Sequence, residues 1–379
     1  MFDKLRVALL AVASVASGAL APRPAQAIPI FAQRYGFQCG VCHSVLPELN
    51  AFGNAFRNNG YRLPGLPKHG TTILALREQI GYTNPPEPGS ERTVPAGAIL
   101  GAAEIGDVEA FFHESLGSEG GPSSLFLGYL AYKDQPSKIL FRLGLFELPL
   151  VHSPAQRNDT LTTYGYEGTR FGLDDLTLAT PRWGLEMERP VGVATLATTI
   201  AFGNAAGSAY GGKPVATGTS QTFAAPEYGL YFRVPVVTND VRVGLDLLDG
   251  DAAIAQLAKP TFDDAYTREG ISVDARHGRL ELLAEQWYGH DVNADGAGDP
   301  LASTGGFARL RWALGDHAYV GIREDASAAP AATRTLLWYA EAQVGRHARV
   351  LIQQQRPIPG GPTNLGGALT FGFPWPWGK

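Results

Sequence analysis

The stretch that decides the fold is Tyr228-Gly229-Leu230-Tyr231-Phe232-Arg233-Val234-Pro235-Val236, in which every second residue from Tyr228 is apolar. After a short break, Val241-Arg242-Val243-Gly244-Leu245-Asp246-Leu247 repeats the alternation. A period of two is typical of a β-strand with one apolar and one polar face. The two stretches therefore predict neighbouring antiparallel strands joined by a tight turn.

Sixteen segments of this kind predict an all-β chain that forms a membrane barrel. They cover about 71–83, 98–106, 107–115, 123–133, 139–150, 182–190, 193–204, 227–237, 241–251, 266–277, 280–291, 303–314, 318–327, 335–345, 348–356 and 364–375. Short turns alternate with longer loops, and an even strand number with an aromatic last strand is typical of outer-membrane β-barrels. We predict an antiparallel transmembrane β-barrel of about 16 strands within residues 71–379; a soluble all-β domain is the alternative.

The two faces of these strands are expected to meet different surroundings. Outward residues such as Leu245, Leu310, Trp338 and Phe371 should face lipid. The charged residues expected to point into the lumen are Arg233, Arg242, Asp246, Arg268, Asp274, Arg276, Glu281, Glu285, Arg309, Arg311, Arg323, Asp325 and Glu341. Because both signs are present, they either pair within a filled interior or line an open channel. The long 151–181 connection is expected to fold into the barrel mouth or to collect cations.

Residues 1–27 resemble a secretory signal peptide, which predicts export. Lys4 and Arg6 precede an uncharged apolar stretch at 7–21, and Ala25-Gln26-Ala27 is a small-x-small cleavage site. A membrane anchor is the alternative, but the run is short and is broken by prolines. The net charge of −5 gives no basic excess that would indicate nucleic-acid binding. Together with the barrel, the signal predicts the outer membrane of a Gram-negative bacterium.

The only two cysteines of the chain lie in a Cys-x-x-Cys-His motif formed by Cys39, Cys42 and His43. This is the attachment pattern of c-type haem, in which both thiols bind the haem vinyl groups and the histidine is the proximal iron ligand. A thioredoxin-like pair, half of a zinc site or a structural disulfide are the alternatives. Zinc would need further soft ligands, and a disulfide would close a very short loop. The motif predicts one covalent haem c.

The motif lies in a segment, 28–70, between the signal and the barrel. Leu49, Phe52 and Phe56 share one face of a helix expected to begin near Pro47 and to end at Gly60. We expect Phe52 and Phe56 to pack on the haem, with ordinary helix packing as the alternative. A segment this small builds little core of its own, so it is expected to lean on the barrel as a plug.

The order of residues around the Cys-x-x-Cys-His motif resembles that of a known protein family. Arg34-Tyr35-Gly36-Phe37-Gln38-Cys39-Gly40-Val41-Cys42-His43 is followed by Pro47-x-Leu49-Asn50-x-Phe52-Gly53-x-x-Phe56-x-x-Asn59-Gly60-Tyr61 and then by the barrel. This order resembles the fused outer-membrane monohaem cytochrome c–porins of iron(II)-oxidising bacteria, most specifically over 28–64. The resemblance implies an iron(II) oxidase-type electron-transfer protein, with an extracellular reductant such as iron(II), a periplasmic electron carrier and outer-membrane lipid as partners.

Further ligands are suggested by single residues. His69 could fold back as the sixth iron ligand; the alternative is that it is a solvated histidine of the linker. Met187 is the only methionine that would remain after cleavage of the signal peptide. His277, His317 and His347 lie at expected periplasmic turns, as ordinary turn residues or at the border of a docking face. A loop with oxygen side chains at alternate positions resembles half of a calcium site: Asp291, Asn293, Asp295 and Asp299. A polar hairpin loop is its alternative.

The sequence therefore leaves two functions. The first is an outer-membrane electron conduit, in which one haem c passes electrons between an extracellular donor and a periplasmic acceptor. The alternative is an outer-membrane pore or anchored binding protein with a structural or redox-sensing haem. A haem peroxidase would need a distal acid–base residue, for which the sequence offers no motif.

Overall fold

The computed structural model describes residues 29–37, 39–45, 48–63, 65–66, 74–84, 93–118, 124–150, 160–162, 164–173, 177–204, 220–237, 240–255, 260–315, 317–328, 332–344 and 348–375. The predicted signal peptide, His69 and His347 lie outside these ranges. Among the residues described, no helix is both long and apolar enough to cross a membrane.

Sixteen antiparallel strands close into one barrel, which confirms the predicted number and pairing. Each strand pairs with the next along the chain, and the last pairs with the first. Their bounds are β3 Leu74–Asn84, β4 Thr93–Ile105, β5 Val108–Ser118, β6 Ser124–Lys133, β7 Leu140–Phe146, β8 Arg182–Val191, β9 Ala194–Asn204, β10 Ser220–Val237, β11 Val241–Ala255, β12 Phe262–His277, β13 Leu280–Asp291, β14 Leu301–Ala313, β15 Ala318–Ala328, β16 Ala332–Val344, β17 Ala348–Pro357 and β18 Asn364–Trp375. The short connections lie at one end, called here the short-turn end, and the longer loops at the other.

Several strands extend a few residues beyond the expected bounds, including β4, which begins at Thr93, and β12, which begins at Phe262. Two of the differences have an identifiable reason. Strand β10 begins at Ser220 instead of 227, because two register shifts, one between Phe223 and Ala225 and one between Ala225 and Tyr228, interrupt the alternation without ending the pairing. Strand β7 ends at Phe146 instead of 150. The chain leaves the barrel wall there, and Leu148 and Leu150 are buried inside the barrel.

Side chains alternate between the barrel interior and its outer surface, as the period of two predicted. The buried charged residues among those expected inside are Asp246, Arg268, Asp274, Glu281, Glu285, Arg309, Arg311, Arg323, Asp325 and Glu341. The side chains of Arg233, Arg242 and Arg276 are partly buried. On the outward face Leu245 and Trp338 are each 52% exposed. The strands thus carry a charged interior and an apolar exterior.

The connection between β7 and β8, residues 147–181, is called here the lumen loop, and its described parts (147–150, 160–162, 164–173 and 177–181) lie inside the barrel. Tyr164 stacks on Phe307 of β14 with ring centroids 3.9 Å apart, and both rings are buried. The Tyr166 hydroxyl lies 2.9 Å from Ser303 Oγ, also on β14. Because these strand residues point into the interior, the described residues of the loop follow the first of the two expected alternatives, entry into the barrel; cation binding by the loop stays a prediction.

A small unit precedes the barrel. It consists of α1 Pro29–Tyr35, α2 Cys39–Cys42, β1 His43–Val45, β2 Glu48–Leu49 and α3 Ala51–Asn58. Helix α3 does not begin near Pro47 as expected, because β2 intervenes and Asn50 is the N-cap. Gly60 has a φ of +66°, so the expected glycine stop after this helix is confirmed.

Candidate functional site

The Cys-x-x-Cys turn and the following helix are joined through Asn50. The Asn50 side-chain Nδ2 donates to the carbonyl oxygens of Gly40 and Val41, both at 3.1 Å. Its Oδ1 accepts from the Gly53 backbone N–H at 2.9 Å, which caps α3. The Asn50 backbone N–H donates to the Cys42 carbonyl oxygen at 2.9 Å. One residue therefore satisfies both the end of α2 and the start of α3, and it fixes their relative position.

Gly53 allows α3 to approach the cysteine turn closely. A Cβ atom at this position would lie 2.0 Å from the Cys42 carbonyl oxygen, far inside van der Waals contact. Gly40, in the turn itself, has open space where its Cβ would lie. The required glycine is thus the one in the helix, because it is the helix backbone that meets the motif.

The surroundings of Cys42 fit a covalent haem. The thiol is free and partly buried, and this desolvation raises the pKa of Cys42 to about 11. Beside the motif, Val41 is 37% and Phe52 39% exposed, although both are apolar. A haem attached at Cys39 and Cys42 would cover such apolar surface, and His43, the first residue of β1, follows directly for the iron.

The two phenylalanines expected to pack on the haem lie in different surroundings. Phe52 is exposed and makes an edge contact with Phe37, with centroids 5.7 Å apart. Phe56 is buried among protein rings, at 5.6 Å from both Phe31 and Tyr35. Phe52 is therefore the better placed of the two to meet a haem, and haem packing by either residue stays a prediction.

A buried ion pair joins the described part of the segment to the inner wall near the short-turn end. Arg34 Nη1 lies 2.9 Å from both carboxylate oxygens of Glu109 and 3.4 Å from Glu104. These acids stand close to the β4–β5 turn and point inward. Near the same end, the Lys133 ammonium donates to the Asn58 carbonyl oxygen at 3.1 Å. The charges orient α1 and α3 against the barrel wall.

An apolar patch on the inner wall meets the apolar face of the segment. Phe31 stacks on Tyr61 at 4.5 Å and on Phe111 of β5 at 6.3 Å. The inward barrel residues in this cluster are Ala75, Ala98, Leu100, Ala102, Phe111, Leu127, Tyr129, Ala131, Leu140 and Phe146. If the lumen were filled with water, this apolar surface would be exposed, and its hydration would cost a free energy of about 25 cal/mol for each Å². The patch is here covered by the segment.

Elsewhere the interior is held by charged pairs and by the lumen loop. Arg323 Nη1 donates to Thr160 Oγ1 at 2.7 Å and also pairs with Asp325 at 2.9 Å. Arg309 lies 2.5 Å from Glu281 and 3.3 Å from the Tyr164 hydroxyl. The expected mixed-charge interior is therefore built mainly from ion pairs, several of which also fasten the loop.

The remaining candidate ligands are scattered. Met187 is in β8, and both His277 and His317 are exposed near the short-turn end. In the 291–299 loop, Asp291 pairs with Arg268 at 2.6 Å, while Asn293 and Asp295 accept backbone N–H groups of their own loop. Within the described ranges, no group of three Cys, His, Asp or Glu could hold a metal ion. These contacts describe a polar hairpin loop; calcium binding and a role for His69 stay predictions.

Sequence reasoning missed two features of the site. Asn50 was visible as a possible N-cap, since asparagine before a helix is a recognised signal, but its bonds to the cysteine turn depend on the fold. The lumen-loop rings Tyr164 and Tyr166 carried no periodic signal, because irregular loops have none. Their partners on β14 become apparent only when the barrel is closed.

No protein-family model matches the chain, and no curated protein matches it either. Several solved structures match the chain in fold. The outer membrane channel DcaP of Acinetobacter baumannii matches at a TM-score of 0.55 and 9% identity, over 80% of this chain and 96% of that one. The anion-selective porin from Comamonas acidovorans matches at a TM-score of 0.56 and 11% identity, over 80% of this chain and 99% of that one. OmpF of Salmonella typhi, solved with daunomycin, matches at a TM-score of 0.55 and 9% identity, over 86% of this chain and 100% of that one. At these identities the likeness establishes the fold: a closed β-barrel of the porin type.

Proposed function

We propose that this protein lies in the outer membrane and carries electrons across it through one haem c. Cys39 and Cys42 would hold the haem, His43 would bind its iron, and segment 28–70 would act as a plug. The bound group would supply one-electron oxidation and reduction. The observation that carries the proposal is the Cys-x-x-Cys-His turn seated on a segment whose apolar face matches the inner wall.

The chain's own residues suggest the direction in which the site opens. Arg34 and Glu109 hold the segment near the short-turn end, which is periplasmic in barrels of this class. A haem at this seat would stand close to a periplasmic acceptor. An extracellular donor, for which iron(II) is the candidate from the family resemblance, would have to come within reach through the lumen or its loops.

A second function is favoured by the structural neighbours, which are described as channels and porins. In that case the barrel is a pore or an anchored binding protein, and the haem is structural or senses redox state. The ion pairs and the inward lumen loop favour a narrow interior over a wide water-filled one. The porin fold by itself fits either function.

The test is rapid mixing of the purified, oxidised protein with iron(II) near neutral pH, followed by optical spectroscopy. The conduit predicts retention of haem after acid–acetone extraction and full, fast haem reduction. Cys39→Ala and Cys42→Ala should each lose normal two-thioether haem. Freely extracted haem would end the c-type assignment. A covalent haem that iron(II) leaves oxidised, combined with large ion conductance in planar bilayers, would favour the pore.

A further inference from the structure

Two arginines stand on the outer surface of the barrel at its long-loop end, the end opposite the short-turn end. On β16, Leu337 is buried inside the barrel, so the alternation turns Arg334 outward. On β17, Gln353 is buried inside and accepts the Leu161 N–H of the lumen loop, which turns Arg356 outward in the same way. Both arginines are exposed, and every other exposed arginine or lysine of the described residues lies at the short-turn end.

The strand register brings the two arginines together. Leu336 of β16 lies opposite Arg356 of β17, and the Ile358 backbone N–H donates to the Arg334 carbonyl oxygen at 2.8 Å. Arg334 and Arg356 are therefore diagonal neighbours on one face of an antiparallel pair, a relation that places residues about 7–8 Å apart. Since both side chains are long, their guanidinium groups can reach a single group that lies between them.

Much of the hydrogen-bonding capacity of these guanidinium groups is available. Arg334 Nε lies 2.5 Å from the Glu324 carboxylate on β15, and this contact does not use either Nη group of Arg334. Arg356 makes no hydrogen bond or ion pair with any described residue. The pair of arginines thus exceeds its one acid by a positive charge. A planar guanidinium donates two parallel N–H bonds to a phosphate, which makes phosphate a fitting ligand.

The level of the arginines on the wall indicates where that phosphate would come from. Arg334 is ten residues from Val344, the last residue of β16 at the short-turn end. At a rise of about 3.3 Å per residue and a tilt of about 40°, this distance spans roughly 25 Å along the membrane normal, the height of the apolar band of an outer-membrane barrel. Below Arg334, Trp338 is 52% exposed on the same face, as expected of a lipid-facing aromatic residue. Arg334 therefore stands where hydrocarbon gives way to lipid headgroups, and Arg356 is long enough to extend to that level.

We propose that Arg334 and Arg356 together bind a phosphate group of an outer-leaflet lipid. The inference rests on the outer-membrane location in the proposed function but not on the haem. The outer leaflet of such a membrane consists largely of lipopolysaccharide, whose lipid A part carries its phosphates just above the hydrocarbon. The apolar residues below the two arginines would contact the acyl chains of the same lipid. A lipid fits this surface better than a soluble anion, because it meets the apolar wall and the arginines at once.

The test is native mass spectrometry of the purified full chain in detergent, titrated with bisphosphorylated lipid A. The wild type should bind this lipid more tightly than dephosphorylated lipid A. The double variant Arg334→Gln/Arg356→Gln should bind it about tenfold or more weakly than the wild type, the effect of losing one hydrogen bond between charged groups. Arg279→Gln is the matched control, because it removes the same charge from an exposed position at the short-turn end. It should bind lipid A as the wild type does.

Equal affinities of the wild type and the double variant would overturn the proposal, and so would equal binding of phosphorylated and dephosphorylated lipid A. If inorganic phosphate bound as tightly as lipid A, the arginines would recognise a free anion instead of a lipid. An oligomer that separates in the double variant would show that they meet a second copy of the chain. Cell fractionation tests the location separately. A protein that is found in the outer membrane and fails the lipid test would overturn this inference and leave the electron-transfer proposal standing.

Discussion

At the scale of single residues, the site depends on a few polar atoms that connect short elements. Asn50 caps α3, bonds the cysteine turn and orders the Cys42 carbonyl oxygen. Gly53 then lets the helix backbone lie on that carbonyl. Such short helices are marginal by themselves, so their geometry is set by these contacts.

We expect Asn50→Ala to destabilise segment 28–70 by about 1–2 kcal/mol, because it removes an N-cap and two further hydrogen bonds. Asn54→Ala is the matched control, since its Nδ2 makes one bond to the Leu49 carbonyl oxygen. The measurement is thermal loss of the native haem absorption in the purified holoproteins. Equal midpoint temperatures of this thermal transition in the two variants would show that Asn50 does not organise the turn.

The thiol of Cys42 provides a pH test. With Cys39→Ser, the chain has a single cysteine, and burial raises the pKa of Cys42 to about 11. Because the thiolate is the reactive form, alkylation of the haem-free protein should be slow at neutral pH and rise about tenfold for each pH unit until near 11. A cysteine peptide levels off near its ordinary pKa of about 8.5. A plateau at that pH in the folded protein would contradict the burial of Cys42.

At the scale of elements, the strands were predictable and the interior was not. The alternation of apolar and polar residues along β11 and β16 predicts that each segment is a strand. It also predicts which side chains face outward, because successive side chains of a strand point to opposite sides. Which inward residues touch each other depends on register and on what enters the barrel. The buried position of Phe56 and the route of the lumen loop therefore required the closed structure.

Outward positions should respond to charge as lipid-facing residues do. Leu310→Arg in β14 should cost about 2–4 kcal/mol of folding stability if it stands near the bilayer centre, because a cation there must be desolvated. Ala297→Arg, in an exposed loop, is the control and should be nearly neutral. Urea titration of refolding into lipid vesicles measures both. A neutral Leu310→Arg would argue against a lipid-facing wall.

The inner wall, in contrast, should not be uniformly tolerant. In a water-filled barrel, inward substitutions are milder than lipid-facing ones, but β4 to β7 carry an apolar patch that packs against residues of the segment. Ala131, 1% exposed, faces this patch. A large or charged side chain there would meet packed rings instead of water.

At the scale of the whole molecule, two parts of the chain outside the strands pack on the inner wall. Described residues between 29 and 63 contact it near the short-turn end, and described residues of the lumen loop contact it elsewhere. The fold class and strand number could be predicted because sixteen alternating segments reinforce each other. The inward course of the lumen loop could not be predicted, since nothing in an aperiodic 35-residue connection fixes whether it turns inward or outward.

We expect the full chain to conduct ions poorly in planar bilayers. Deleting 28–64 should raise conductance only in part, because the lumen loop remains. Deleting 28–64 and also replacing 151–175 by a short glycine–serine linker should raise it much further. A large conductance of the full chain would contradict the filled interior, and a full rise from the first deletion alone would show that the loop does not obstruct the lumen.

Helix α1 lies against β18 and β3, the last and the first strands, whose pairing completes the cylinder. The seam therefore closes against a piece of chain that was translated before either strand. Barrel assembly acquires an order from this: we expect α1 to be in place before β18 pairs with β3 along their whole length.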